Sequence, residues 1–289
     1  MTEGAAVSQD ATGGDAPRFD IRLWGVRGSL PVAGPQFAGY GGRTICIEMR
    51  CGDHVLLFDA GSGMAQAGVA LRAEGHDRID LFFSHFHYDH VMGLPFFAPL
   101  YDRSCTLTVW SGHMTGIMTT AEMMANFMRT PFFPIGPDIC TACIAPREFV
   151  PGEAMALYPG LTVRTAMLNH PGNAVGYRVE WGGRAAAVVT DTEHVPGTLD
   201  PRVLDLIAGA DLVLYDSTYR DEEFEVYRGF GHSTWQQAVR LARAAGVRRL
   251  GLIHHAEWRT DAGLARIEAA LEDAGVEAFV GRDDQVITL

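Results

Sequence analysis

The sequence predicts an α/β fold in which two β-sheets pack face to face and helices cover their outer surfaces. Strand patterns recur in both halves of the 289-residue chain, with helical patterns between or after them. The apolar share of 47% is enough for a well-filled core. No repeat, low-complexity block or linker follows residue 18, so we expect one domain over residues 18–289.

The first half of the chain alternates short apolar runs with glycine-rich turns, which is typical of strands joined by loops. The turn Asp59-Ala-Gly-Ser-Gly63 ends a strand pair and should open a helix that reaches about Glu74. A second, methionine-rich helix is expected over 115–128, where the methionines fill the core. The strands are expected at 19–24, 44–49, 54–58, 79–83 and 107–110.

Strand patterns return after residue 141 and then alternate with amphipathic segments. The strands are expected at 161–168, 174–181, 185–190, 212–215 and 250–253, and the helices at 201–208, 234–245 and 261–274.

The net charge of −12 argues against a broad surface for nucleic acids, because phosphate contacts need clustered cations. Nucleic acid is therefore an unlikely partner, and a small-molecule substrate is expected. All 23 basic residues are arginine, which excludes Schiff-base and P-loop lysines. No apolar run approaches about 18 residues, so no membrane partner is expected.

Residues 1–17 are rich in Gly, Ala, Ser, Thr and Asp and lack the basic start and apolar block of a signal peptide. We expect a disordered tail there. An odd count of five cysteines favours a reducing, cytoplasmic location. The Cys140-Thr-Ala-Cys143 match has no partner pair, so ordinary thiols are favoured over a redox or zinc site.

The run Ser84-His-Phe-His-Tyr-Asp-His90 is the densest chemical signal in the chain. His85, His87, Asp89 and His90 provide three imidazoles and one carboxylate directly after an apolar strand. These ligand types suit zinc, manganese and iron. A core would have to satisfy several polar ring nitrogens, so packed histidines are a poor alternative. We expect a tight loop that gives ligands to two neighbouring metal ions.

Three further candidate ligands follow predicted strands, where loops converge on one edge of the fold. They are His170, Asp191 and His254, with His255 as an alternative to His254 because neighbours on an extended segment point in opposite directions. Asp191 is predicted to bridge two metals, since its two oxygens can each bind a cation. The predicted first metal site is His85, His87 and His170, and the second is Asp89, His90 and His254.

This pattern resembles the metallo-β-lactamase fold superfamily, and within it the ribonuclease Z and cyclic-nucleotide phosphodiesterase branch. The resemblance covers nearly the whole chain and implies a four-layer αββα sandwich. It also implies that Asp59 supports the ligand loop through hydrogen bonds without binding metal. The segments that carry it, besides the seven ligands, are Asp59–Gly63, Trp24–Pro31, Tyr40–Thr44 and Ile253–His255.

The same branch implies roles for two later segments. Gly231-His-Ser-Thr-Trp235 is similar to a ribonuclease Z segment whose histidine assists the leaving group, which implies that His232 is a general acid. Tyr215-Asp-Ser-Thr-Tyr219 is similar to a segment whose carboxylate orients that histidine, which implies this role for Asp216. The alternative for His232 is a helix-capping turn. Asp89 is predicted to serve catalysis as well as metal binding.

Three departures from known members narrow the function that the resemblance implies. The chain lacks a basic arm of the kind that holds transfer RNA, Asp191 stands where common β-lactamases carry cysteine, and His87 stands where flavodiiron oxidases carry glutamate. These differences disfavour RNA processing, β-lactam hydrolysis and di-iron redox chemistry in turn.

The expected function is a dinuclear metal-dependent hydrolase. It would act as a phosphodiesterase on a small substrate, with a cyclic nucleotide as one candidate, and a hydroxide shared by two cations as nucleophile. The ions are expected to be Zn²⁺, with Mn²⁺ or Fe²⁺ as alternatives. Alternative functions are an acyl hydrolase for a lactone or thioester and a non-hydrolytic di-iron redox or sensor protein. A homodimer is a candidate assembly.

Overall fold

Two mixed sheets of seven strands each form the centre of residues 17–289, the part of the chain that this computed structural model describes. The tail predicted for residues 1–17 lies outside the described residues except for Pro17. The first sheet contains, in spatial order, β14 (Val286–Thr288), β1 (Phe19–Gly25), β2 (Cys46–Cys51), β3 (His54–Phe58), β4 (Arg78–Phe82), β5 (Thr106–Ser111) and β6 (Cys143–Glu148).

The second sheet faces the first. It contains, in spatial order, β13 (Glu277–Val280), β12 (Arg249–Ile253), β11 (Leu212–Asp216), β10 (Arg184–Val189), β9 (Ala174–Trp181), β8 (Leu161–Leu168) and β7 (Ala154–Tyr158). The helices are α1 (Met64–Ala73), α2 (Tyr88–Val91), α3 (Thr120–Phe127), α4 (Pro201–Ile207), α5 (Asp221–Phe224), α6 (Trp235–Ala244) and α7 (Asp261–Ala270).

The central apolar layer lies between the two sheets, as period-two strands require. In β1, Phe19, Ile21 and Leu23 are fully buried and meet residues such as Val163 of β8 and Val175 of β9. Burying one such side chain contributes about 1.5–3 kcal/mol.

Two outer apolar layers complete the sandwich. One lies under α1, where Met64, Ala67 and Leu71 repeat at helical spacing and face the first sheet. The other joins the second sheet to α4, α6 and α7. The predicted α/β fold with four αββα layers is therefore confirmed.

The methionine-rich helix predicted for residues 115–128 is shorter than expected. It begins at Thr120, where the Thr119 hydroxyl accepts from the Glu122 amide and the Glu122 carboxylate accepts from the Thr119 amide. Before it, Thr115 donates its hydroxyl proton to the carbonyls of Gly112 and Phe149, which ties this segment to a loop instead of a helix. Met123 and Met124 are buried in the core, as predicted.

Four strands, namely β6, β7, β13 and β14, were not predicted. All four are edge strands and are only partly buried, so their side chains lack the regular apolar alternation of inner strands. β6 also contains Pro146, which is tolerated there because β6 is an edge strand.

Parallel strands place the predicted functional residues at one edge of the sandwich. β3, β4 and β5 are parallel in the first sheet, and β10, β11 and β12 are parallel in the second. The segments after β4, β10 and β12 carry six of the predicted ligands, as is usual for sites in such sheets. The seventh, His170, follows β8, which runs in the same direction as β10 because β9 is antiparallel to both. Within residues 17–289, no helix has both the length and the apolar character needed to cross a bilayer.

Candidate active site

All seven predicted ligands meet at this edge, although they are spread over 170 positions of the chain. Potential ligand atoms of each group described below lie within 4.8 Å of one another. The groups are His85, His87 and His170; Asp89, His90 and His254; His85, His90 and Asp191; His170, Asp191 and His232; and Asp216, His232 and His254.

Asp191 lies between the two predicted metal positions. Its Oδ1 is 3.2 Å from Nε2 of His90 and 3.2 Å from Nε2 of His254. Its Oδ2 faces the other group, 3.7 Å from Nε2 of His85 and 3.9 Å from Nε2 of His170. This is the geometry that a carboxylate needs to give one oxygen to each of two cations.

The second group gathers around the Asp89 carboxylate. Asp89 Oδ2 is 3.2 Å from His90 Nε2 and 3.3 Å from His254 Nε2, and it accepts a hydrogen bond from the Ser29 amide at 2.8 Å. The Nε2 atoms of His85 and His90 are buried and make no hydrogen bond to any described residue. Buried ring nitrogens normally have a hydrogen-bond partner or a metal ion. A bound cation would therefore satisfy these two nitrogens.

The ligand run differs from the predicted tight loop in one respect. His85 and His87 lie on extended chain, but Asp89 and His90 lie in the single helical turn α2. This turn packs against the Asp59–Gly63 segment, where the Ala60 amide donates to the His90 carbonyl at 2.7 Å. The helical turn explains how neighbouring residues of the run can face two different metal positions.

The rings of the ligand loop are oriented by a network centred on Asp59. Its Oδ2 lies 2.8 Å from His90 Nδ1 and accepts a hydrogen bond from the Ser84 hydroxyl at 2.8 Å. Ser84 in turn lies 3.0 Å from His85 Nδ1. Asp59 therefore lies where the supporting role predicted for it requires, with its oxygens turned to ligand histidines.

His254, and not His255, reaches the site. Thr218 Oγ1 lies 2.9 Å from His254 Nδ1, which leaves Nε2 directed at Asp89 and Asp191. The His255 ring points away, with Nε2 2.9 Å from the Gly281 carbonyl. Burial, and then the charge of Arg27, lowers the pKa of His255 to about 3.

Three residues of the site have left-handed backbone conformations that are uncommon outside glycine. They are Asp59 (φ 61°), Asp191 (φ 51°) and His254 (φ 58°), each directly at or just beyond a strand end. Such conformations cost of order 1–3 kcal/mol each and cluster at functional sites. Here they turn a strand-end side chain towards the ligand cluster.

Two glycines make room for ligand rings. A Cβ on Gly28 would lie 2.1 Å from Cε1 of His254, and one on Gly231 would lie 2.2 Å from Nδ1 of His170. The Gly231 carbonyl also lies 2.8 Å from His170 Nδ1 and so fixes this ring.

Gly28→Ala is expected to displace the His254 ring and to weaken binding of divalent metal by about 10- to 100-fold, the usual cost of a misoriented ligand. Metal titration of the purified variant measures this loss. Gly263→Ala is the matched control, because the closest atom to its Cβ would be Cγ of the Arg259 side chain at 3.1 Å, away from the ligand rings. Unchanged metal affinity in Gly28→Ala would contradict the assignment of His254.

In the metal-free protein, burial and the neighbouring charges determine which histidines of the site are protonated. Burial alone would lower the pKa of His90, but the carboxylates of Asp191, Asp89 and Asp59 outweigh burial and raise it. Burial is outweighed in the same way at His254, where Asp191 and hydrogen bonding to Asp89 raise the pKa to about 9. Burial, assisted by His90, lowers the pKa of His85 far below its ordinary value.

The metal-free protein is therefore expected to become less stable as the pH rises from about 6.5 to about 9. The folded-state pKa of His254 lies above its unfolded value, so its proton stabilises the fold below about pH 6.5 and no longer does so above about pH 9. The proton on His254 alone accounts for about 3 kcal/mol of this loss, and His90, whose pKa is also raised, adds to it. Thermal unfolding in a chelator measures it. His254→Gln should flatten the profile, and a midpoint that rises over this interval would contradict the expectation.

His232 lies beside the ligand cluster, between the two metal positions. Its Nδ1 is 3.2 Å from Asp216 Oδ2 and 3.7 Å from Asp191 Oδ2. The capping alternative for His232 is not needed, because Thr234 accepts the Gln237 amide at 3.1 Å and so caps α6 itself. The His232 side chain is one-tenth exposed, so its ring is partly accessible to solvent.

Asp216 is held by its own neighbours. Its Oδ1 accepts from the amide and the hydroxyl of Thr218 at 3.0 and 2.8 Å, and its Oδ2 accepts from the Thr192 amide at 3.2 Å. Burial would raise the pKa of Asp216, but His232 outweighs it and lowers this pKa. An ionised carboxylate with fixed oxygens can hold one tautomer of the His232 ring.

Sequence reasoning missed two residues that hold the site together. Glu193 Oε2 accepts hydrogen bonds from the Gly229 and Gly231 amides at 2.7 and 3.0 Å, which fixes the turn before His232. Thr218 links Asp216 to His254 through its hydroxyl. The sequence signal for Thr218 was its position two residues after Asp216. Glu193 has no comparable signal.

The predicted Cys140 and Cys143 thiols are free, as are the other three cysteines. Cys143 is exposed and Cys140 is partly buried. The groups of potential metal ligands found among residues 17–289 contain neither of them.

Comparison with known proteins agrees with this geometry. The family described as "Beta-lactamase superfamily domain" matches residues 54–255, which include all seven predicted ligands. A curated relative, ribonuclease Z of Nocardia farcinica, is 28% identical over 280 residues, covering 81% of this chain and 88% of that protein.

Solved structures share the fold. The metallo-β-lactamase fold protein YhfI from Bacillus subtilis has a TM-score of 0.72 and 18% identity, covering 94% of this chain and 100% of that chain. A diphosphatase of the PhnP family has a TM-score of 0.68 and 16% identity, covering 93% of this chain and 97% of that chain.

The fold and the site define a hydrolase of the metallo-β-lactamase fold. The chain belongs to the β-lactamase superfamily, as the match over residues 54–255 shows, and the predicted resemblance to this superfamily is confirmed.

Proposed function

We propose that the protein is a dinuclear metal-dependent phosphodiesterase that acts on a small substrate. His85, His87 and His170 would hold the first divalent ion, and Asp89, His90 and His254 the second, with Asp191 between them. The observation that carries the proposal is the pair of Asp191 oxygens, each directed at a different ligand group. The unpaired, buried Nε2 atoms of His85 and His90 support the presence of cations.

Zinc is the proposed ion, because a donor set of imidazoles and carboxylates without thiolates suits it, and Mn²⁺ and Fe²⁺ are compatible with the same donors. Such ions, when bound, lower the pKa of water towards neutrality and take up negative charge on the attacked group. Proton transfer to the leaving group would be carried out by residues of this chain.

His232 is the proposed general acid. Its Nδ1 faces Asp216, so the opposite ring nitrogen would give its proton to the leaving oxygen of the substrate. Asp216 would keep a proton on Nδ1, so that the proton given to the leaving oxygen comes from Nε2 of the doubly protonated ring. Asp89 contributes to catalysis through its position in the second metal group.

The pair of His232 and Asp216 favours phosphodiesters over acyl substrates, because an alkoxide leaving from phosphorus needs a proton more than a thiolate does. The names of two relatives, ribonuclease Z and a diphosphatase, also describe enzymes that cleave phosphorus–oxygen bonds. These names support cleavage of a phosphorus–oxygen bond, and they do not indicate the size of the substrate.

A small substrate is favoured over RNA by the charge of the chain. The net charge is −12, and a long phosphate backbone needs clustered cations. Many arginines are also paired with carboxylates, such as Arg240 with Asp221 and Arg259 with Glu223. Transfer RNA, suggested by the name ribonuclease Z, is therefore the competing substrate that must be tested directly.

The test combines elemental analysis with a substrate panel of bis(4-nitrophenyl) phosphate, a thioester and a precursor transfer RNA. We expect about two divalent ions per chain and turnover of the phosphodiester. Turnover of the thioester alone would favour the acyl hydrolase. Cleavage of the RNA faster than of the phosphodiester would indicate that RNA, and not a small phosphodiester, is the substrate. Coloured iron-loaded protein without hydrolysis would favour the redox or sensor alternative.

The cytoplasm is the proposed location. All five cysteines are free thiols, including the exposed Cys143, and a reducing compartment keeps thiols in this state.

A further inference from the structure

Four aromatic rings lead outward from His232, and we call them the aromatic ladder. The Tyr219 ring lies 5.9 Å from the His232 ring, edge to face. Tyr227 stacks on Tyr219 at 4.6 Å with an angle of 7°. Trp258 stacks on Tyr227 at 5.4 Å and 25°, and Phe230 lies 6.1 Å from Tyr227.

The ladder becomes more exposed with distance from His232. Tyr219 is 3% exposed and Tyr227 is half-buried, whereas Trp258 is 44% and Phe230 63% exposed. Single exposed apolar residues are ordinary, but contiguous stacked rings beside a proposed catalytic group are typical of a binding surface.

The backbone holds these rings in place. The Tyr219 amide donates to the Ser233 carbonyl at 3.0 Å, next to His232, and the Phe230 amide donates to the Tyr227 carbonyl at 3.2 Å. A fixed ring loses little conformational freedom when a planar group stacks on it, so the ladder is organised before a ligand arrives.

The spacing of the ladder sets the form of this ligand. The leaving oxygen would lie at His232, and the adjacent ring, Tyr219, is buried. The first accessible rings, Tyr227 and Trp258, lie one ring further out. A base joined to that oxygen through a sugar would extend from His232 past Tyr219 towards these two rings.

We propose that Tyr227, Trp258 and Phe230 form a subsite that stacks the base of a nucleoside leaving group. This inference rests on the proposed phosphodiesterase function, because it takes His232 to mark the leaving oxygen. It assigns the substrate class as small nucleoside phosphodiesters, with the nucleoside on the side of His232.

Calorimetric binding of two probes to the zinc-loaded protein tests the subsite. Adenosine 5′-monophosphate and ribose 5-phosphate share the sugar and the phosphate, and only the first carries a base. We expect the first to bind about 5- to 100-fold more tightly, the usual range for stacking of one base on aromatic side chains. Trp258→Ala should remove most of this preference, and Trp258→Phe should retain most of it.

Phe96→Ala is the matched control. Phe96 is 63% exposed and packs edge to face on Phe133, so the substitution removes an exposed aromatic ring outside the ladder. This variant should keep the preference. Equal affinities in the wild type, no binding of either probe, or a preference that survives both Trp258→Ala and Tyr227→Ala would overturn the subsite.

Hydrolysis of methyl 4-nitrophenyl phosphate separates this inference from the proposed function. This ester contains no base, so its hydrolysis by the wild-type protein tests the phosphodiesterase activity independently of the subsite. Turnover of this substrate without a preference for the base overturns the subsite alone. A preference for the base without turnover overturns the phosphodiesterase and leaves a nucleotide-binding site.

Discussion

Asp191→Asn is expected to lower divalent metal binding to about one ion per chain or fewer and phosphodiester hydrolysis by about 10³-fold or more. The substitution keeps the size of the side chain and tolerates the left-handed backbone at this position (φ 51°). It replaces an anionic oxygen with an amide nitrogen that cannot bind a cation. Since Asp191 faces both ligand groups, both positions lose charge together. Losing several kcal/mol of metal-dependent stabilisation corresponds to a rate effect of this size.

Asp284→Asn is the matched control for this substitution. Asp284 also has a left-handed backbone (φ 66°), but it is exposed and pairs with Arg43 away from the site. We expect wild-type metal content and activity in the control. Elemental analysis and initial rates, measured on both variants at equal metal concentration, make the comparison. Full metal occupancy together with full activity in Asp191→Asn would contradict the bridging role.

His232→Ala is expected to keep the metal ions and to slow hydrolysis of a phosphodiester with an alkyl leaving group by about 10²–10⁴-fold, the usual contribution of a general acid. The ring lies beside the ligand cluster with Nδ1 on Asp216, so its loss removes a proton donor. Metal content, measured by elemental analysis, should match the wild type. Initial rates on methyl and 4-nitrophenyl esters measure the dependence on the leaving group.

The two esters provide their own control for His232→Ala. 4-Nitrophenolate leaves without protonation, so the variant should hydrolyse this ester at close to the wild-type rate. Asp216→Asn should give a smaller loss on the methyl ester, because the ring remains but its tautomer is less well held. An equal loss on both esters would mean that His232 acts on the metal ions or on binding instead of on the leaving group.

The candidate ligands that the sequence predicts lie together in the structure because their positions follow simple rules. Imidazoles and carboxylates as dense as those from His85 to His90 are difficult to bury without a cation, and parallel strands carry residues at their carboxyl ends to one edge. Asp191 and His254 were found by this second rule alone, and the structure places both in the cluster. The inner strands were predicted for a related reason, since burial on both faces leaves clear apolar runs.

The features that were not predicted from the sequence depend on contacts between distant parts of the chain. Glu193 fixes the Gly229–Gly231 turn 36 and 38 positions away, and no local pattern shows such a bond. β6 and β14 are edge strands with weak alternation, so their pairing is decided by the neighbouring strand. The stacking of Trp258 on Tyr227 requires the register of two separate loops.

One residue, Gly231, contacts both the proposed first metal group and the segment that carries the proposed acid. Its carbonyl lies against the His170 ring, its amide is held by Glu193, and the next residue in the chain is His232. The orientation of the His170 ring and the position of His232 therefore depend on the backbone of the same residue. A substitution that shifts this backbone would disturb both side chains together.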